Sequence, residues 1–66
     1  MFITINGKPE EIKIQSNLAQ FILNRGLCAE NLVIEHNSHI APKQQWKSIT
    51  LEENDTVEII SFVGGG

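Results

Sequence analysis

Apolar and polar side chains alternate near the start of the chain with the two-residue period of a β-strand. In residues 1–5 the apolar positions Met, Ile and Ile share one face, and Asn6-Gly7 follows directly. Asn-Gly is a strong hairpin signal because both residues tolerate positive φ. A second strand is expected beyond Pro9, with Ile12 and Ile14 on one face. The pattern therefore predicts an N-terminal β-hairpin.

The spacing of apolar residues then changes to that of an amphipathic helix. Leu18, Phe21 and Ile22 follow at steps of three and four, which places them on one helical stripe. Ser16 is predicted to cap the helix, since its hydroxyl can accept a bond from a free amide of the first turn. Gly26 suits the left-handed residue that ends a helix.

The second half of the chain predicts three further strands. Residues 32–34 and 39–41 are two short apolar runs separated by a turn, and Trp46 is expected to tuck onto the core from a helical turn or loop. Asn54 tolerates the left-handed conformation of a turn. The final strand is expected from about Thr56 to Phe62.

This order of elements is strand, strand, helix, strand, short strand, strand, which is typical of an α+β layer architecture. The simplest solution is a ubiquitin-like β-grasp fold: a mixed sheet of about five strands packed on one helix. The last strand would lie beside the first in the middle of the sheet. Residues 1–66 are predicted to form one domain, with 63–66 as an exposed, flexible tail.

Both faces of the final strand carry apolar side chains. If Val57 and Ile59 face the helix, Ile60 and Phe62 lie on the outer side of the sheet, together with Phe2. Exposed apolar residues near a reactive group commonly mark protein interaction sites. Local burial by loops is the alternative, and the sequence does not choose between them.

Composition narrows the classes of function. The chain has 66 residues, one cysteine and a net charge of −3, from 5 basic and 8 acidic residues. Nucleic-acid binding needs clustered positive charge, and a membrane span needs about 20 apolar residues, so both are disfavoured. A single cysteine forms no internal disulfide, which favours a reducing compartment. We expect a cytoplasmic protein that is a monomer when free.

Candidate catalytic residues are few. Cys28 is predicted to be an inert core residue, because no adjacent basic group is evident to stabilise a thiolate. His36 and His39 lack the further ligands that a structural metal site needs, so no metal is expected. The chain is also too small to enclose a substrate pocket of its own. It is therefore predicted not to be an enzyme by itself.

Gly64-Gly65-Gly66 follow the final strand without a linker. A backbone without side chains can enter a narrow active site, and three extended residues reach about 10 Å. The carboxylate of Gly66 is therefore the candidate reactive group.

Together these features resemble the ThiS family, the small ubiquitin-like sulfur carriers of thiamine thiazole biosynthesis. The resemblance covers essentially the whole chain. Besides the Asn6-Gly7 hairpin, it is carried by three segments: residues 33–37, the run Ile40-Ala41-Pro42-Lys43 with Trp46, and residues 54–66. The chain departs from the family in having Lys43 where Arg is usual and Asn54 where Gly is common.

The resemblance implies a protein cosubstrate that binds no cofactor itself. An E1-like adenylating enzyme of the ThiF type would use ATP and magnesium to adenylate Gly66. Sulfur from a cysteine desulfurase would then give a thiocarboxylate, and thiazole synthase of the ThiG type would take the sulfur. Gly64 and Gly65 would thread through partner channels, while Ile60, Phe62 and Val63 would form the partner-binding face.

Two alternatives stay open from the sequence. The first is a sulfur carrier for another pathway, such as molybdopterin, cysteine or tRNA thiolation, which uses the same tail chemistry. The second is a non-reactive ubiquitin-like interaction module, or a modifier conjugated to target lysines.

Overall fold

The computed structural model describes residues 1–62, in which five strands and one α-helix form. They are β1 (Phe2–Ile5), β2 (Lys8–Glu11), α1 (Leu18–Asn24), β3 (Leu32–His36), β4 (His39–Ile40) and β5 (Thr56–Ser61). Two short 3₁₀ helices, Ala29–Asn31 and Lys43–Ser48, join these elements. The predictions made for Val63, Gly64, Gly65 and Gly66 concern residues outside this description.

The strands form one mixed sheet in the order β2-β1-β5-β3-β4. β5 pairs in parallel with β1 and antiparallel with β3, so the last strand lies beside the first at the centre of the sheet. β1–β2 and β3–β4 are antiparallel pairs. The predicted β-grasp architecture, a mixed five-stranded sheet with one helix, is confirmed.

The core lies between the sheet and α1. Its fully buried large side chains come from strands, helix and a loop: Ile3, Leu18, Ile22, Ile34, Leu51 and Val57. Each such burial stabilises the fold by about 1.5–3 kcal/mol. Trp46 closes one side of the core, and its indole N–H donates to the carbonyl of Ala41 at 2.8 Å. The predicted positions of Trp46 and of the helical stripe are therefore confirmed.

Turn residues adopt the conformations that their chemistry predicts. Asn6 and Gly7 have φ of 50° and 83° in the β1–β2 hairpin, Asn54 has φ of 70° before β5, and Gly26 has φ of 73° after α1. No helix within residues 1–62 is long and apolar enough to cross a membrane.

The cap of α1 differs from the prediction by one residue. Asn17, not Ser16, is the N-cap, and its side-chain oxygen accepts a 2.7 Å bond from the Gln20 N–H. The reason is tertiary. The backbone of residues 16–18 is held extended against residues 49–51, with the Leu51 N–H donating to the Ser16 carbonyl at 3.0 Å. The helix therefore begins one residue later.

The second strand is shorter than predicted. β2 ends at Glu11, and the ladder with β1 closes where the Ile12 N–H donates to the Met1 carbonyl at 2.7 Å. Ile12 still packs on the core, but Ile14 is 79% exposed. The expectation that both isoleucines share a buried strand face is thus wrong for Ile14, which lies beyond the paired strand.

Candidate functional site

The end of β5 is the last described part of the chain before the glycine segment. The strand is held on both sides: the Ile59 N–H donates to the Asn6 side-chain oxygen at 2.8 Å, and the Phe62 N–H donates to the Asn31 carbonyl at 3.0 Å. Phe62 is followed in sequence by Val63 and then Gly64-Gly65-Gly66. The glycine segment therefore continues from an anchored position at the centre of the fold.

The two faces of β5 differ in the way that the alternation predicts. Val57 is fully buried and Ile59 packs against the core. Ile60 and Phe62, which alternate with them, are 46% and 49% exposed. Loops do not cover these two side chains, so the alternative of local burial is wrong for them. That they bind a partner stays a prediction.

We define the outer patch as the exposed sheet surface next to the end of β5. Cross-strand register places Val33 opposite Ile60, Glu35 opposite Glu58, and Ile40 opposite Glu35. These five residues and Phe62 belong to the face of the sheet that points away from α1. The outer patch thus has apolar side chains next to a pair of carboxylates, and Thr56 follows them on the same face toward the start of β5.

Phe2 lies on the same face of the sheet as the outer patch, but at the other end of β5. β1 pairs with β5 at Thr4 opposite Thr56, so Phe2 precedes that pair at the start of β5. Phe62 follows the opposite end of the same strand. The structure therefore confirms that Phe2 is exposed and separates it from Ile60 and Phe62.

The structure contains a polar cluster around Asp55 that the sequence analysis did not predict. Asp55 is buried, and its carboxylate lies 2.8 Å from His36 Nε2 while accepting bonds from the Glu52 N–H at 2.9 Å and from the Asn37 side chain at 3.1 Å. The Asn37 side-chain oxygen in turn accepts the Thr56 N–H at 2.8 Å. This cluster joins the β3–β4 turn to the start of β5.

Opposing influences act on the pKa of Asp55. Burial raises the pKa, but hydrogen bonds from His36, the Glu52 N–H and Asn37 stabilise the carboxylate more strongly, so the pKa is lowered from its ordinary value of 3.8. The sequence signal was only the pair Asn54-Asp55, which predicts a turn. That pair gives no indication that Asp55 contacts His36 and Asn37, which lie 19 and 18 positions earlier in the chain.

The remaining candidates have structural roles or stand alone. His36 binds Asp55, whereas His39 Nδ1 lies 3.1 Å from the Asn37 carbonyl oxygen. Arg25 pairs with Glu10 at 2.6 Å; both side chains are more than a third exposed, so the pair adds little stability. Glu10 belongs to β2. Cys28 is exposed, and its prediction as a core residue is wrong.

Comparison with known proteins gives one consistent result. Residues 3–66 match the model of the ThiS family. The sulfur carrier protein ThiS of Bacillus subtilis (strain 168) is 32% identical over 69 residues, with 97% of this chain and 98% of that protein covered. A crystal structure of the thiamine biosynthesis protein ThiS from Geobacter metallireducens superposes with a TM-score of 0.86 at 28% identity, covering 100% of both chains.

A different kind of relative is much longer. A thiazole synthase of Magnetococcus marinus is 27% identical over 66 residues, which is 100% of this chain but 20% of that protein. The chain therefore spans about a fifth of the length of the thiazole synthases that it matches.

Proposed function

The chain belongs to the ThiS family, and we propose from this that it is a sulfur carrier for the thiazole moiety of thiamine, acting as a protein cosubstrate and not as an enzyme. Its similarity to the sulfur carrier protein ThiS of Bacillus subtilis and to the thiamine biosynthesis protein ThiS of Geobacter metallireducens supports this assignment. The match to thiazole synthases supports a thiazole synthase of the ThiG type as the acceptor of the sulfur.

In the first step, a carboxylate oxygen of Gly66 attacks the α-phosphorus of ATP and pyrophosphate leaves. A ThiF-type adenylating enzyme holds the ATP and its magnesium. The step is needed because a carboxylate is a poor electrophile, whereas the acyl-adenylate carries AMP as a good leaving group. The reaction requires that the Gly66 carboxylate be free.

Sulfur then enters at the activated carbonyl. The terminal sulfur of a persulfide, formed by a cysteine desulfurase, attacks the carbonyl carbon and AMP leaves, which gives an acyl disulfide. A thiol reduces the S–S bond and releases the thiocarboxylate of Gly66. Thiazole synthase takes this sulfur for ring formation.

The observation that carries the proposal is the position of β5. It is the central strand, bonded as far as Ile59 on the side of β1 and as far as Phe62 on the side of β3, and only Val63 lies between Phe62 and three consecutive glycines. A rigid body therefore presents a segment without side chains, which suits entry into channels of two different enzymes. Ile60 and Phe62 expose apolar surface next to this point, where a partner holding the tail would contact them.

The test is the intact mass of the full chain after incubation with the adenylating enzyme, ATP, magnesium, cysteine desulfurase, cysteine and a thiol. Exchange of one oxygen for sulfur should add about 16 Da, and omission of ATP should prevent the gain. A mass that stays unchanged with an active enzyme would reject the proposal. Isopeptide adducts on lysines would identify a modifier instead.

A further inference from the structure

The outer patch contains two carboxylates that face each other. Glu35 of β3 lies directly opposite Glu58 of β5 in the antiparallel ladder. Side chains at such positions have Cβ atoms about 4.5–5.5 Å apart, and like charges there destabilise the sheet. The ion pairs formed within residues 1–62 are Arg25–Glu10 and His36–Asp55, so neither glutamate is neutralised by a cation in that part of the chain.

The basic residues of the chain lie elsewhere. Lys8 is opposite the buried Ile5 and so belongs to the other face of the sheet. Arg25 follows α1, and Lys13 lines a groove with it and Phe21. The other two basic residues, Lys43 and Lys47, belong to the second 3₁₀ helix. Positive charge is therefore gathered on the helix side, and the outer patch is left acidic.

Exposed apolar side chains lie next to the same two carboxylates. Ile40 lies opposite Glu35 and is 67% exposed, while Ile60 and Phe62 continue the face of Glu58 toward the end of β5. An apolar surface with acidic side chains next to it is suited to a partner that presents apolar side chains next to a basic one. Two copies of this face would repel each other, because both are acidic.

We propose that Glu35 and Glu58 together receive an arginine side chain of the adenylating enzyme, and that this contact selects the enzyme and orients the chain on it. The proposal rests on the proposed function. A planar guanidinium has five N–H donors and can donate to both carboxylates at once, which a lysine matches less well. An enzyme that binds ATP and a carboxylate tail together needs positive potential around its site, and this charge complements the outer patch.

The test compares the affinity of the full chain for the adenylating enzyme before and after the two carboxylates are neutralised. The double variant Glu35→Gln/Glu58→Gln should bind about tenfold more weakly at low salt, and Glu58→Lys should bind more weakly than Glu58→Gln. The double variant should also lose much of the salt dependence of binding between about 50 and 300 mM salt. Glu52→Gln is the matched control, because it removes the same charge from an exposed turn outside the patch, and its affinity should stay within about twofold.

Thermal unfolding separates this role from a structural one. Removal of an opposed like-charge pair should leave Tm unchanged or raise it, while binding weakens. Equal affinity of the double variant and the parent chain would overturn the inference, as would a loss of affinity that is accompanied by a fall in Tm. If the parent chain gains sulfur and the double variant binds normally, this inference alone fails. If the parent chain is not adenylated, both the proposed function and this inference are wrong.

Discussion

The imidazole Nε2 of His36 lies 2.8 Å from the Asp55 Oδ2, and this contact joins the end of β3 to the residue that precedes β5. Asp55 also contributes its backbone, since the Thr4 N–H of β1 donates to the Asp55 carbonyl at 2.9 Å. One side chain and its peptide group therefore connect β1, β3 and β5 at the start of β5, the end of that strand opposite Phe62.

Removal of the Asp55 carboxylate should destabilise the whole fold. Asp55→Ala removes the charged acceptor of the Glu52 N–H and of the Asn37 side-chain N–H, and a hydrogen bond to a charged group contributes about 1.5–3 kcal/mol. We expect the free energy of unfolding in urea to fall by about 2 kcal/mol or more. Glu30→Gln, at an exposed acidic residue, is the control and should change it by less than about 0.5 kcal/mol. Equal stability of the Asp55 variant and the parent chain would show that the cluster contributes nothing.

The same carboxylate should make stability depend on pH in the acid range. Its pKa is lowered in the folded state from the ordinary value of 3.8, so folding favours the ionised form. The resulting stabilisation is complete above the unfolded pKa and is lost as pH falls through the lower folded pKa. Urea unfolding curves between neutral pH and pH values below 3.8 should show this loss in the parent chain. Asp55→Asn should be less stable at neutral pH and should lose less stability on acidification; parallel pH profiles would contradict the assignment.

The position of the helix cap can be tested with neighbouring residues. Asn17→Ala removes the acceptor of the Gln20 N–H and should lower the free energy of unfolding by about 1 kcal/mol. Ser16→Ala is the matched control, because Ser16 contributes its backbone carbonyl to the Leu51 N–H and the variant keeps that bond. A larger loss from Ser16→Ala than from Asn17→Ala would restore the capping assignment made from the sequence.

The apolar part of the outer patch should contribute to partner affinity. Ile60→Ser or Phe62→Ser removes exposed apolar surface next to the glycine segment and should weaken binding to the adenylating enzyme about tenfold, without loss of stability. Two controls remove similar exposed surface elsewhere: Phe2→Ser on the same face at the opposite end of β5, and Leu23→Ser on α1. If all four variants bind alike, the contact surface lies outside this patch.

The tail prediction depends on side-chain size at Gly65. Gly65→Val adds a branched side chain that should block entry to the adenylation channel, so the rate of adenylation should fall sharply while the unfolding curve stays the same. Gly65→Ala is the graded control, and its rate of adenylation should lie between those of the parent chain and the valine variant. ATP–pyrophosphate exchange measures the reaction. Normal exchange with the valine variant would exclude a narrow channel around this residue.

Local signals in the sequence were sufficient for much of the fold. The stripe of Leu18, Phe21 and Ile22 is buried as predicted, and Asn6 and Asn54 adopt positive φ where turns were expected. These predictions succeeded because periodicity and turn chemistry act between residues close in the chain. Ser16 failed as a cap because a long-range contact with Leu51 holds its backbone extended.

The sequence by itself determined the order of the elements along the chain and the segment of glycines that follows the last strand, since strand alternation, helical spacing and backbone freedom are local properties. Only the tertiary structure decided that Asp55 meets His36, that Glu35 stands opposite Glu58, and that Phe2 lies far from Phe62 on their shared face. Those relationships depend on cross-strand register. Register is set by how all the strands pack together on the core, and no single segment specifies it.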